Sequence, residues 1–411
     1  MPSTVVSNLV ELVTDKQVAD PAKPEAYIGL EHIPERAIRI EKVGDIEAIR
    51  GMCVRYREGD ILFGKLRPNL RKSVLAPVDG LGSTEILVLR PKPGLDASFA
   101  GQVLRSETVF FEAERMTEGT RMPRTSWKTL SGIEVFTPAE PHAQKLIADI
   151  LDAIDNAILE TDALVEKLLA IRIGLTEDLL TFGIAGGRSR SVADAEETSL
   201  GLVPASWSRG ALGSMAETLT SGSRGWAKFY SDRGAKFLRI GNLTRQHINL
   251  RLDDLVYVTP PKGQEGKRTA VQENDLLISI TADLGVIGSI PPSFGEAYVN
   301  QHIALVRLKE SEVNPRWPAH FLSSRRSQIM FQKLNDQGAK AGINLPAVEQ
   351  IQVPLPPREE QDALVERLDA ADEDVARYRI EREKLAALRL GLRDDLLTGR
   401  KSVIALRQAA E

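Results

Sequence analysis

The sequence of 411 residues predicts an α+β fold made twice. Two mixed α/β domains each lead into one long helix, and the two helices pack antiparallel as a coiled coil in a pseudo-two-fold internal repeat. Three observations predict it. Gln144 to Thr181 recurs from Gln361 to Thr398 without a gap, with roughly sixteen of about thirty-eight positions identical. Within each copy the apolar residues return every three or four positions, as one face of a helix requires. Ahead of each copy, the strand, turn and helix signals follow the same order.

Residues 1–140 form the first mixed domain. Ile61-Leu62-Phe63 and Glu85 to Leu89 read as strands, bounded by turns at Gly59-Asp60, Pro77 to Gly80 and Arg90 to Gly94. Ser98 to Arg115 has helical spacing, with Phe99, Val103, Leu104, Phe110 and Phe111 as its buried face. Ser131 to Thr137 alternates like a strand feeding the first long helix, residues 141–182. The seam of that helix is Ile147, Leu151, Ile154, Ile158, Val165, Leu168, Ile171 and Leu175. Residues 183–205 are rich in Gly, Ser and charge and read as a linker.

The second mixed domain, 206–353, repeats the plan. Glu273-Asn274-Asp275-Leu276-Leu277-Ile278 echoes Glu58-Gly59-Asp60-Ile61-Leu62-Phe63, His302 to Leu308 supplies the later strand, and Pro318 to Leu334 the helix. The second long helix covers 354–400, with Leu364, Leu368, Ala371, Val375, Tyr378, Leu385, Leu388 and Leu392 on its seam, and 401–411 is a tail. Gly174 and Gly391 interrupt the two helices at equivalent places. At about 1.5 Å per residue each rod is roughly 50 Å long. A two-fold object with matching ends suits a target that is itself roughly two-fold, of which double-stranded DNA is the commonest.

Composition narrows the function. A single cysteine, Cys53, rules out an internal disulfide framework and a cysteine zinc site, and fits a reducing compartment. The start lacks a signal-peptide pattern and no apolar run is long enough to span a membrane, so the expected location is the cytoplasm. The net charge of −4 decides nothing about nucleic acid, because much of the acid lies in the helices while several loops are basic. Catalytic motifs are missing. Gly263 to Lys267 is too short for a phosphate loop, no Pro-Pro pair has the flanks of an amino-methyltransferase, and the five histidines show no metal spacing.

The basic loops carry the functional signal. Lys65, Arg67, Arg71 and Lys72 crowd one turn around Pro68-Asn69, and Arg121, Arg124 and Lys128 lie with Thr125, Ser126 and Trp127 just before the strand into the helix. Clustered cations of this kind contact phosphates, and arginine also takes guanine O6 and N7 together. In the second domain Arg224, Trp226 and Lys228 sit among small residues that let a phosphate approach, with Trp226 available to stack if exposed and to anchor the loop if buried. Arg239 and Asn242 follow, where asparagine can pair with adenine, and Lys340 is a weaker candidate.

Val353-Pro354-Leu355-Pro356-Pro357-Arg358-Glu359-Glu360-Gln361 opens a helix that ends Leu396-Leu397-Thr398-Gly399-Arg400, and Thr220 to Trp226 and Phe237 to Leu243 accompany it. With Leu30-Glu31-His32-Ile33 in the first domain, these stretches make the chain resemble the specificity subunit of type I restriction–modification systems over nearly its whole length. The first copy departs from the pattern: Pro138 to Gln144 lacks the Pro-Pro pair, and Phe182 replaces the glycine after Leu-Leu-Thr. The resemblance implies a non-catalytic DNA-binding subunit whose two target-recognition domains each read one half of a bipartite, asymmetric target. It implies that the helices set the spacer and dock DNA adenine methyltransferase (modification) subunits, with restriction/translocase subunits joining the assembly. It places S-adenosylmethionine, ATP and Mg on those partners and no cofactor on this chain. Two alternatives stay open in the sequence: the specificity protein of a stand-alone DNA methyltransferase, and a coiled-coil scaffold with two protein-binding domains.

Overall fold

The computed structural model describes residues 3–404 apart from 21, 24, 118–120, 185–194, 199, 223, 261–262 and 337–341. The chain divides into two compact units, Met1–Asp162 with Ile380–Glu411, and Ala163–Arg379. Each long helix therefore contributes one half to each unit. No helix among the described residues is long and apolar enough to cross a membrane.

In the first unit, a four-stranded antiparallel sheet runs in the order Val10–Leu12, Ile86–Pro91, Ile61–Gly64, Ser73–Leu75. Ile61 to Phe63 is an unbroken apolar run because both faces of the sheet are covered. Ile61, Phe63, Leu87 and Leu89 pack with Phe99 and Phe110 of the helices, while Leu62, Ile86 and Val88 pack with Ile28, Val54 and Tyr56 of a second, five-stranded sheet. In that second sheet Ala26–Ile28 lies parallel to Gly80–Ser83.

The second unit repeats this layering. Its antiparallel sheet orders Ala216–Ser221, Ile303–Leu308, Leu276–Ser279, Ile287–Ser289, and its second sheet contains the parallel pair Ala235–Leu238 and Ala297–Val299. Leu276, Ile278 and Val306 face Trp317 and Leu322, whereas Leu277 and Leu305 face Leu238 and Val299. The stretch expected to be a linker carries a hairpin of Ala195–Thr198 and Gly201–Pro204 next to residues outside the described set.

The duplication extends to individual polar contacts. Asp60 takes Arg90 in a two-pronged pair, Nε to Oδ1 at 2.9 Å and Nη2 to Oδ2 at 2.7 Å, and accepts the Arg57 amide at 2.8 Å. Asp275 takes Arg307 in the same way at 2.8 and 2.7 Å and accepts the Gln272 amide at 2.6 Å. The sharp turn ahead of each aspartate needs a left-handed residue, and Gly59 and Asn274 supply it with φ of 81° and 65°.

Two expected helices are each broken in two. Ala97–Leu104 and Glu107–Arg115 replace the single helix over 98–115, because Ser106 leaves the helical conformation to cap Val109. The break rotates the second segment, so Phe111 is 62% exposed while Phe99, Val103, Leu104 and Phe110 are buried as expected. Arg316–Ser323 and Arg325–Asp336 divide the corresponding helix of the second unit.

The long helices run Pro141–Phe182 and Arg358–Leu397, and they pass through Gly174 and Gly391 without interruption. Each is entered from a strand, Glu134–Phe136 and Gln352–Leu355, paired with the strand that opens its own domain. Gln144 and Gln361 are both buried, and their Nε2 groups donate to the Pro138 and Pro356 carbonyls at 2.8 Å. Glu360 explains the acid in the second helix start, since it accepts the Ile184 amide and the Trp207 indole N–H, each at 3.0 Å.

Within each unit the two helix halves run antiparallel. In the first, Asp155 pairs with Arg389 and Asp162 with Arg382. In the second, Arg172 pairs with Asp372 at 2.7 Å. The alignment of the repeat places Asp155 on Asp372 and Arg172 on Arg389, so one buried ion pair occurs twice with its partners exchanged between helices. Ile147, Leu151, Leu396 and Leu397 belong to the core of the first unit, and Leu179, Leu180, Leu364 and Leu368 to that of the second. Ile171 and Leu388, expected on the seam, are instead exposed at equivalent positions.

Removing one member of a buried pair leaves an uncompensated charge, which destabilises by about 3–5 kcal/mol. Asp372→Asn should therefore lower the unfolding free energy by several kcal/mol in urea titration. Asp362→Asn, which breaks the exposed pair with Arg358, should change it by no more than about 1 kcal/mol.

Candidate nucleic-acid interface

The two basic stretches of the first domain, far apart in sequence, meet in space. Leu66 forms an isolated β-bridge with Arg124, the Arg67 amide donates to the Pro123 carbonyl at 2.8 Å, and the Thr125 amide to the Lys65 carbonyl at 3.0 Å. Arg67 and Arg71 flank a single turn at Pro68–Leu70 and both hold left-handed backbone, φ 51° and 55°. Sustaining that conformation at two arginines requires the surrounding contacts to over-determine it, a condition that clusters at functional sites.

The cations of this cluster divide into two kinds. Lys65 Nζ donates to the Thr84 carbonyl, and burial pushes its ammonium below the ordinary value against the pull of Glu85. Lys72 Nζ donates to the Leu30 carbonyl at 2.7 Å, and Arg71 pairs with Glu107. These three hold the loop onto the domain. Arg67, Arg121, Arg124 and Lys128 point to solvent. Arg124 touches Glu85 at 3.0 Å, but both side chains are exposed, and a surface pair of that kind is readily exchanged for a phosphate.

The second domain corrects two expectations. Trp226 is no stacking platform: it is 2% exposed, parallel to Phe237 at 5.2 Å between ring centres, and close to Tyr298. Asn242 is no adenine reader, because its Oδ1 accepts the Arg239 amide at 2.9 Å and its Nδ2 donates to the Arg251 carbonyl at 3.0 Å. His32 does the same job in the first domain, its Nδ1 accepting the Gly29 amide at 2.9 Å. The asparagine is thus part of a repeated turn. Arg239 is tied to Asp254 at 2.9 Å.

Arg224 and Lys228 remain exposed on either side of the buried tryptophan, and Lys228 lies over the Phe229 ring at 5.0 Å. Gly222 is obligatory at the base of this loop, since an added Cβ would stand 2.1 Å from the Asn300 backbone. Arg268 braces the loop through Thr220 Oγ1 and the Ser221 carbonyl, both at 2.6 Å. The exposed aromatic of this edge is Tyr230, tilted against Phe237. Sequence reading missed it: Phe229 ends a 3-10 turn and packs inward, and the strand that carries Tyr230 outward is only Tyr230–Ser231. Lys340 lies outside the described residues.

Residues 212–388 match the family model described as the type I restriction modification DNA specificity domain. Over 388 residues the chain is 26% identical to the putative type I restriction enzyme MjaX specificity subunit of Methanocaldococcus jannaschii, covering 90% of this chain and 86% of the relative. It is 23% identical over 380 residues to the MjaVIII specificity subunit of the same organism, covering 91% of this chain and 85% of that one. Among solved structures, the S subunit of the type I restriction-modification system of M. genitalium superposes with a TM-score of 0.63 at 14% identity, covering 96% of both chains.

Truncating a fully buried tryptophan costs about 3–5 kcal/mol, whereas an exposed arginine contributes within about 0.5 kcal/mol. Thermal unfolding should therefore drop sharply for Trp226→Ala and stay put for Arg224→Ala. An unchanged melting curve for the tryptophan variant would place the indole in solvent.

Proposed function

Because the chain belongs to the specificity subunits of type I restriction–modification systems, we propose that each of its mixed domains reads one half of a bipartite, asymmetric DNA target. The observation that carries this reading is duplication with divergence. Sheets, turns and buried pairs recur in both units, while the exposed loops differ: Arg67, Arg121, Arg124 and Lys128 in one, Arg224, Lys228 and Tyr230 in the other. A shared scaffold with unlike loops suits two readers of unlike sequence.

The long helices are read as spacer and dock. Ile171 and Ile173 lie just before Gly174, and Leu388 and Leu390 just before Gly391, all exposed at equivalent places on the two copies. Nothing lies within 4 Å of a Cβ added at either glycine. Paired apolar patches, each next to a residue without a side chain, fit two copies of one modification subunit. On this reading methylation and cleavage, with S-adenosylmethionine, ATP and Mg, belong to modification and restriction subunits, and this chain supplies the address.

Mapping methylated adenines in host DNA with and without the gene tests the proposal directly. Loss of the gene should erase a split motif. In the assembled complex Arg124→Ala and Arg224→Ala should each weaken contact with its own half only, and equal loss at both halves would sink the two-reader model. One turn added to each long helix should alter the unread spacer in the same map and leave the half-site bases alone. Binding should weaken with salt at about −0.9 log units per log unit for each phosphate neutralised.

Docking makes a separate claim. Ile171→Lys or Leu388→Lys should leave the melting temperature unchanged and reduce the bound modification subunits from two to one by native mass measurement. Two subunits retained on both variants would move the dock elsewhere.

A further inference from the structure

Inside the first unit, between the reading domain and the helix halves, lies a cavity of about 330 Å³ lined by Arg36, Arg71, Arg105, Arg382, Arg389 and Arg393. Carboxylates do not balance them. Glu107 is shared by Arg71 and, at 3.6 Å, Arg393; Asp155 is shared by Arg389 and, at 3.6 Å, Arg105; Asp162 holds Arg382. Arg36, exposed on left-handed backbone with φ 55°, has no partner among the described residues. Three carboxylates thus face six guanidinium groups.

Arg393 is the telling member. It is 8% exposed, and its Nε has no hydrogen-bond partner. Burial and the neighbouring Arg389 push its guanidinium down to about 10. A buried donor left unmade is destabilising, so its persistence needs a reason. Phe110, Ile158 and Leu390 complete the wall with apolar surface, which strengthens the field of the cations within.

The second unit shows what the site looks like without this surplus. A cavity at the matching place is lined by Arg172, Arg245 and Arg325 together with Glu166 and Glu177. The position that follows the repeated turn as Arg36 does is Gln246, and the neighbouring Arg245 is engaged by Asp283 at 2.5 Å and by the Leu284 carbonyl at 2.9 Å. The position aligned with Arg393 is Thr176, whose hydroxyl is bonded within its own helix at 2.8 Å. The cation surplus therefore belongs to the first unit and is not a by-product of the fold.

We propose that this cavity binds a phosphate oxyanion, with Arg393 and Arg36 supplying the donors that the chain itself leaves unused. Planar guanidinium groups match the geometry of phosphate oxygens, and the volume admits a nucleoside phosphate as well as free phosphate. The site shares only Arg71 with the loops assigned to DNA reading; the exposed Arg67, Arg121, Arg124 and Lys128 are not among its lining residues. Its occupant ties the reading domain to the second long helix, because Arg36, Arg71 and Arg105 come from the one and Arg382, Arg389 and Arg393 from the other.

Calorimetric titration of the full chain with inorganic phosphate, against chloride at matched ionic strength, tests the site. Saturable binding and a melting temperature raised by several degrees are expected in the wild type. Arg36→Gln, a change at an exposed and unpaired side chain, should weaken phosphate by about tenfold without altering the unliganded melting temperature. Arg393→Lys keeps the charge and removes the fork, and should weaken it too. A parallel titration with AMP separates the sources: tighter binding than phosphate assigns a nucleotide, equal binding assigns the free oxyanion. No phosphate effect beyond chloride, or undiminished affinity in Arg36→Gln, overturns the proposal.

Discussion

The buried arginine–aspartate pair across the helix seam is the constraint on which the other features rest. An apolar seam tolerates a slip of one turn, since leucine packs against leucine in either register. A buried aspartate opposite a leucine is not tolerated. Asp155 with Arg389 and Arg172 with Asp372 therefore lock the register twice, once in each unit. The domain cores inherit that register, because Ile147 and Leu396 lie in one core and Leu180 and Leu364 in the other. A helix out of step would open both. The repeat is thus more than two similar pieces: each copy of the helix contributes the acid to one pair and the base to the other.

Arginine has two uses in this chain, and its net charge conceals both. Arg90, Arg307, Arg172 and Arg389 are consumed by carboxylates within the fold. Arg67, Arg121 and Arg224 stand in solvent. A chain of net charge −4 can present basic loops because most of its acid is exposed on the helices or matched internally. The basic surface of the loops is made by placement, with no excess of cations required.

Much of the architecture was legible from the sequence because it was written twice. The echo of Glu58 to Phe63 in Glu273 to Ile278 marks the same strand and the same Asp–Arg pair, and the two long helices follow from periodicity alone. The break at Ser106 was not legible, since a serine inside a helical pattern becomes a cap only when the packing turns the chain there. Phe111 and Ile171 were misassigned for a related reason: a face can be counted from spacing, but its edge depends on what packs against it. The basic clusters at 65–72 and 121–128 were visible singly, and their union through Leu66 and Arg124 was not. Trp226 and Asn242 sit among loop residues of the right chemistry, and only burial separates a turn's anchor from a reader of bases. The arginine cavity draws on stretches near 36, 105 and 390, which no local motif joins.

The division of the chain also sets an order of manufacture. The second unit is one continuous stretch, Ala163–Arg379, and every residue of its core has been synthesised before the second helix is finished. The first unit is made first and completed last, because Leu396, Leu397 and Val403 fill a core begun at Val6. During translation the apolar faces of Ile147 and Leu151 wait uncovered while an entire second unit is made. The first unit is accordingly exposed to aggregation until the end of synthesis, and a chain cut short after Arg379 carries one complete core and one open core.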